Sequence, residues 1–123
     1  MPHVFDNQTP IYLQIMDAIK TEIISGRYIA GQKLPSVRDF ALQFDANPNT
    51  VQKALFELEN SGLIITERTS GKFVTSDKKV IENAWVSKVD KIIEDYFNFM
   101  AKIGIDRKDA KNILDKKENL WRF

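Results

Sequence analysis

The residues best suited to chemistry in this chain are Asn47, Asn49, Thr50, Gln52 and Lys53, clustered at the start of one short predicted helix. Their side chains match the edges of base pairs. A carboxamide pairs bidentately with adenine, a lysine reaches guanine or a phosphate, and a threonine methyl touches the methyl of thymine. Lys33, Ser36 and Arg38 precede them, and Arg68, Ser70, Gly71 and Lys72 follow. Such flanking groups suit the sugar-phosphate backbone, where contacts position a protein while base contacts specify the sequence. A glycine there permits close backbone approach, and cations favour a narrow minor groove. Simpler roles are open to the same residues: Asn47 and Ser36 as helix caps, Arg38 as the partner of a nearby acid, and Thr50, Gln52 and Lys53 as solvated helix surface.

Three predicted helices and a hairpin must hold this set. Ile11, Ile15, Ile19 and Ile23 recur every fourth residue, so a helix of about four turns buries one apolar stripe and ends at Ser25-Gly26. Thr9 is expected to cap it, with Pro10 in its first turn. Residues 1–8 read as a loosely held arm. Ser36, with Asp39 three residues on, marks the next helix, whose buried face is Val37, Phe40, Ala41 and Phe44. Asp45-Ala46 makes a turn, and Asn47-Pro48 opens a third helix with Val51, Ala54, Leu55 and Leu58 inward. Ile64–Arg68 and Lys72–Thr75 read as two strands around Thr69-Ser70-Gly71. Two strands alone are marginal, so helices must support them.

Beyond a polar break at Ser76–Lys79, the stripe Ile81, Trp85, Val89, Ile92, Tyr96, Phe99 and Ile103 alternates four- and three-residue steps, widened by Ile93, Phe97 and Met100. Gly104 ends that long helix. Asp106 starts a shorter one with Ala110, Ile113, Leu114 and Leu120 on its apolar side. The stripe is too long and too aromatic to serve one small domain, so it is expected to form a homodimer interface. Coverage by the shorter helix is one alternative; a membrane-surface helix is another, disfavoured because the polar side mixes acids and lysines. The expected fold class is α+β, mostly helical: a winged helix-turn-helix domain over residues 9–76, then a two-helix C-terminal dimerisation tail over 77–123.

Residues 10–75 resemble the DNA-binding domain of the GntR family of bacterial transcription regulators. The resemblance rests on Pro10-Ile11-Tyr12, the run Gly26–Asp39, Asn47-Pro48-Asn49-Thr50-Val51, Leu58-Glu59, Gly62-Leu63-Ile64 and Gly71-Lys72-Phe73-Val74. The Asn-Pro-Asn-Thr-Val run and the short tail are similar to the YtrA subfamily, which implies two C-terminal helices for dimerisation. The resemblance also implies that Arg38, the polar residues from Asn47 to Lys53, and Gly71 approach DNA. Two positions depart from the family pattern. Asp45-Ala46 replaces the usual Gly-Val, which suggests an altered turn, and Arg68-Thr69-Ser70-Gly71 lacks the first glycine of the wing.

Charge gives no global field to guide DNA. The 123 residues have a net charge of +1, and residues 1–77 carry seven Lys/Arg against nine Asp/Glu. Binding must rest on local placement of Lys33, Arg38, Lys53, Arg68 and Lys72. The near-neutral balance keeps a second class open, a winged-helix protein-interaction module without specific DNA binding. An enzyme is not expected: no nucleophile has a base partner, and no phosphate- or dinucleotide-binding glycine pattern occurs. With no cysteine and one histidine, His3, neither metal nor cofactor is expected. A small-molecule effector is left open and unspecified. The N-terminus lacks a signal-peptide pattern, and no run nears the roughly 18 apolar residues of a membrane span. The expected partners are double-stranded DNA and a second copy of the chain, in the cytoplasm and off the membrane.

Overall fold

Ile15, Ile19 and Ile23 are the residues on which the core is assembled. In the computed structural model, which describes residues 5–120 of the chain and side chains through residue 117, all three are buried along helix α1 (Ile11–Ile24). They meet the inner face of α3 (Pro48–Asn60), where Val51, Ala54, Leu55 and Leu58 are buried as the periodicity requires. Helix α2 (Val37–Phe44) closes the third side with Phe40, Ala41 and Phe44. Phe40 stacks on Phe44 and takes the edge of Tyr28. Burying side chains of this size stabilises by about 1.5–3 kcal/mol each.

The strands are β1 (Ile64–Glu67) and β2 (Gly71–Val74), antiparallel, with Ile64 opposite Val74 and Thr66 opposite Lys72. The turn is thus Arg68–Ser70, and Gly71 belongs to β2. The hairpin is not left to the helices alone. Lys33 forms a bridge with Phe73, Leu34 N–H donates to the Lys72 carbonyl at 2.8 Å, and Val74 N–H donates to the Gln32 carbonyl at 2.8 Å. The segment before α2 therefore acts as a short third strand, which also draws Lys33 and Ser36 beside the wing.

Helix ends follow local chemistry, with one shift. Pro10, not Thr9, holds the N-cap position of α1, in extended backbone and without a side-chain cap bond. Its ring-fixed φ suits the position, and its missing N–H costs nothing there. Ile11 consequently falls at the helix mouth and is exposed. Residues 5–9 are not a loose arm. The Asp6 carboxylate accepts from the N–H groups of Gln8 and Thr9, the Gln14 carboxamide brackets Asp6, and Phe5 packs on Phe44. Residues 1–4, His3 among them, lie outside the described residues.

Asp45, where the family pattern has glycine, ends α2 in a left-handed turn. It takes a left-handed φ of 50°, while Ala46 N–H donates to the Ala41 carbonyl and Asp45 N–H to Leu42. The end of α3 repeats the pattern, with Gly62 N–H donating to the Glu59 carbonyl and Leu63 N–H to that of Leu58, so that a left-handed residue lets the last carbonyls be satisfied. Aspartate tolerates this conformation better than most non-glycine residues.

Two compact units divide at Ala84/Trp85, inside α4 (Lys78–Lys102). In the first, Val80, Ile81 and Ala84 pack against the core beyond the polar break, so Ile81 has partners within its own domain. In the second, Met100 is buried, Ala110 of α5 (Arg107–Leu120) is buried, and the Tyr96 hydroxyl donates to the Ala110 carbonyl at 2.7 Å. Arg107 lies over the Phe97 ring and pairs with Glu94. Asp106 caps α5 by accepting from Asp109 N–H. The Leu120 side chain lies outside those described. Helix α5 thus takes part of the predicted stripe, as the first alternative had it, but Trp85, Ile92, Phe99 and Ile103 remain 51, 62, 59 and 56% exposed.

The turn predicts an asymmetry. Asp45→Val should lower the free energy of unfolding by about 1–2 kcal/mol, whereas Asp45→Gly should match or exceed the parent chain. Urea denaturation of the three chains measures this, and equal midpoints would mean that the left-handed residue carries no strain.

Candidate nucleic-acid interface

Capping decides how the polar residues of α3 are aimed. The Asn47 carboxamide oxygen accepts from Asn49 N–H at 2.8 Å, and Pro48 follows in the first turn. With Val51, Ala54, Leu55 and Leu58 committed to the core, Asn49, Gln52 and Lys53 form an exposed stripe and Thr50 sits half-buried at its edge. Phe56, one turn beyond Lys53 on the same stripe, is also exposed. Its position was legible from the helical repeat, but its apolar type drew attention to the core instead. In α2, Ser36 accepts from Asp39 N–H at 3.1 Å, and Arg38 projects from the first turn.

Lys33, Ser36, Ser70, Gly71 and Lys72 come together. They line an open cleft of about 300 Å³ between the start of α2 and the wing, floored by Leu34, Pro35 and Val37. Gly71 holds φ 108°, a backbone conformation that favours glycine, and a Cβ there would only touch Lys33 Cε at 3.4 Å. Arg38 and Arg68 do not line this cleft. Both are exposed, and neither forms an ion pair among the described residues.

Two of the five predicted cations are engaged inside the chain. Lys53 Nζ lies 4.1 Å from the centre of the Tyr12 ring, an attraction worth about 0.5–1 kcal/mol at an exposed site. Lys72 Nζ donates to Thr66 Oγ1 at 2.9 Å and pairs with Glu59 at 3.6 Å. Sequence reasoning missed Tyr12, Glu59 and Thr66. Strand alternation did carry a signal, because Lys72 shares its face with the buried Val74. Burial, and secondarily Glu22, hold the Tyr28 hydroxyl above its ordinary pKa, and Tyr28 takes no part in this surface.

This surface sits on a recognised framework. Residues 11–74 match the sequence profile of the bacterial regulatory proteins, gntR family. The chain belongs to that family. Among relatives of this GntR-family chain, the HTH-type transcriptional regulator YhcF of Bacillus subtilis is 31% identical over 89% of this chain and 90% of its own. The HTH-type transcriptional repressor YtrA of the same organism is 45% identical over 59% of this chain, a match spanning 56% of YtrA. These relatives are transcription regulators, not enzymes. A GntR family transcriptional regulator from Listeria monocytogenes superposes with a TM-score of 0.85 at 40% identity, covering 91% of this chain and 98% of the other. The DNA-binding domain of AraR, solved in complex with its operator ORX1, matches with a TM-score of 0.54 at 27% identity over 61% of this chain and 90% of that one. The GntR-family chain is a winged-helix DNA-binding transcriptional regulator, and among the described residues no helix is long and apolar enough to cross a membrane.

Capping and readout separate experimentally in this protein. Asn47→Ala should cost about 1 kcal/mol of stability through the lost cap, while Asn49→Ala should stay within about 0.5 kcal/mol. Thermal unfolding of both variants checks this, and an equal loss in each would contradict the assignment of Asn47 as the cap.

Proposed function

We propose that this chain binds an inverted-repeat operator as a homodimer and represses transcription from it, acting in the cytoplasm. The observation that carries the reading is the exposed stripe Asn49, Gln52 and Lys53, held outward because the opposite face of α3 is locked in the core. In this reading Asn47, Pro48, Asn49, Thr50, Gln52 and Lys53 enter the major groove, and Lys33, Ser36, Arg38, Arg68, Ser70 and Gly71 meet the backbone on either side. YtrA is a transcriptional repressor, which supports repression here.

Near-neutral charge is compatible with this because several acids carry their own partners. Glu22 pairs with Arg27, Asp95 with Lys91 and Glu94 with Arg107. Lys33, Arg38 and Arg68 form no ion pairs among the described residues, so their charges are available to phosphates.

A single winged domain buries only about 600–1,000 Å² on DNA. Doubling it by a two-fold axis accounts for the apolar face of α4, where Trp85, Ile92, Phe99 and Ile103 are exposed in the single chain. Val89 and Tyr96 flank that face, half-buried, and Ile81 serves the winged core instead. No effector is assigned: the described residues contain no cluster fit for a metal ion, and nothing specifies a small molecule.

Selection from random duplexes supplies the operator for the test. At fixed salt, Arg38→Ala and Lys53→Ala should each weaken operator binding about tenfold with little change in melting temperature. Unchanged affinity in both would refute the site, and binding that hardly falls with salt would favour a protein-interaction module. For the dimer, Ile92→Glu and Phe99→Glu should yield monomers in sedimentation with weakened operator binding. A persistent dimer would refute the interface. Tyr96 is a poorer probe, since its hydroxyl already holds α5.

A further inference from the structure

Lys72 stands on the wing beside a glycine, where a cation is readily taken for a phosphate contact. Its surroundings argue otherwise. Successive residues of a strand face opposite sides, so Lys72 shares its face with Val74, and Thr66 shares its face with Ile64. Val74 and Ile64 are buried in the core, and they are paired across the hairpin, as are Thr66 and Lys72. The Lys72 side chain is therefore aimed inward, one step beyond the edge of the core, with 23% of its surface exposed. There its ammonium donates to Thr66 Oγ1 on β1 and pairs with Glu59 on α3, the helix that bears the base-reading stripe. One side chain so links both strands of the wing to the helix.

We infer that Lys72 is a positioning residue: with Glu59 and Thr66 it clips the wing to the recognition helix, and it makes no phosphate contact. Reaching a phosphate would require giving up both partners and leaving the Glu59 carboxylate without its counter-charge. The clip holds the wing in place through the backbone of β2, whose Lys72 carbonyl accepts from Leu34 N–H and so extends the same restraint to Lys33. The wing lacks its usual first glycine, and a fixed base sets where Arg68 and Ser70 stand. The part of this inference that concerns DNA rests on the proposed function; the clip itself does not.

Two measurements on the full chain test it. In the free protein, amide hydrogen exchange at Leu34 and Ser70 should quicken at least threefold in Lys72→Met and in Glu59→Gln, by similar factors. The double variant should be no faster than either single one. Unchanged exchange, or additive effects, would overturn the clip whether or not the chain binds DNA. On operator duplex, the dependence of binding on salt should keep its slope in Lys72→Met, while Lys33→Met lowers the slope by about 0.9, the amount expected for one lost phosphate contact. A drop of about 0.9 in Lys72→Met would make it a phosphate ligand and overturn the inference. Salt-insensitive binding by the parent chain would instead count against the proposed function, leaving the exchange result to decide the clip.

Discussion

The contact between α1 and α3 is the constraint from which the remaining structure follows. Ile15, Ile19 and Ile23 present one apolar line, and Val51, Ala54, Leu55 and Leu58 present another. Once those lines interlock, the rotation of α3 about its axis is set. The remaining positions, 49, 52, 53 and 56, must then face outward whatever their type. Exposure on α3 is thus a by-product of packing: the core chooses which positions face outward, and the sequence fills those places with amides, a lysine and Phe56. Tyr12, on α1, adds a second tie by lying under Lys53.

Much of this was legible in the residues. The fourfold isoleucine spacing, the cap residues Ser36 and Asn47, Pro48 in the first turn and the glycines after α3 and α4 are local signals with local causes, and each marks what it physically determines. What was not legible depends on distant segments. Nothing local says that Lys33 bridges to Phe73, because that pairing joins residues far apart in the chain. Pro10 displaced Thr9 as the cap because proline's fixed φ fits that position, a competition between two good signals. Asp45 adopts a left-handed conformation that glycine adopts more readily, which residue type alone does not announce.

The tail shows the same division. Periodicity placed one apolar stripe along α4, but a stripe does not say which of its members find partners in the same chain. Ile81 packs on the winged core, while Met100, Phe97 and Tyr96 engage their own unit through burial, Arg107 and the Ala110 carbonyl. Only the positions left over are free for a second copy. Charge behaves likewise. A net of +1 says little about DNA because acids and bases are paired selectively, and the cations at the start of α2 and at the wing tip form no such pairs among the described residues.

The central claim is that the outer stripe of α3 lies against base edges. It is tested most directly by comparing sequences selected from random duplexes by the parent chain and by Gln52→Ala. The account predicts that the variant still selects the same half-sites but loses its preference at one base pair in each, since a removed bidentate contact relaxes specificity where it acted. An unaltered base preference in the variant, at every position, would contradict it.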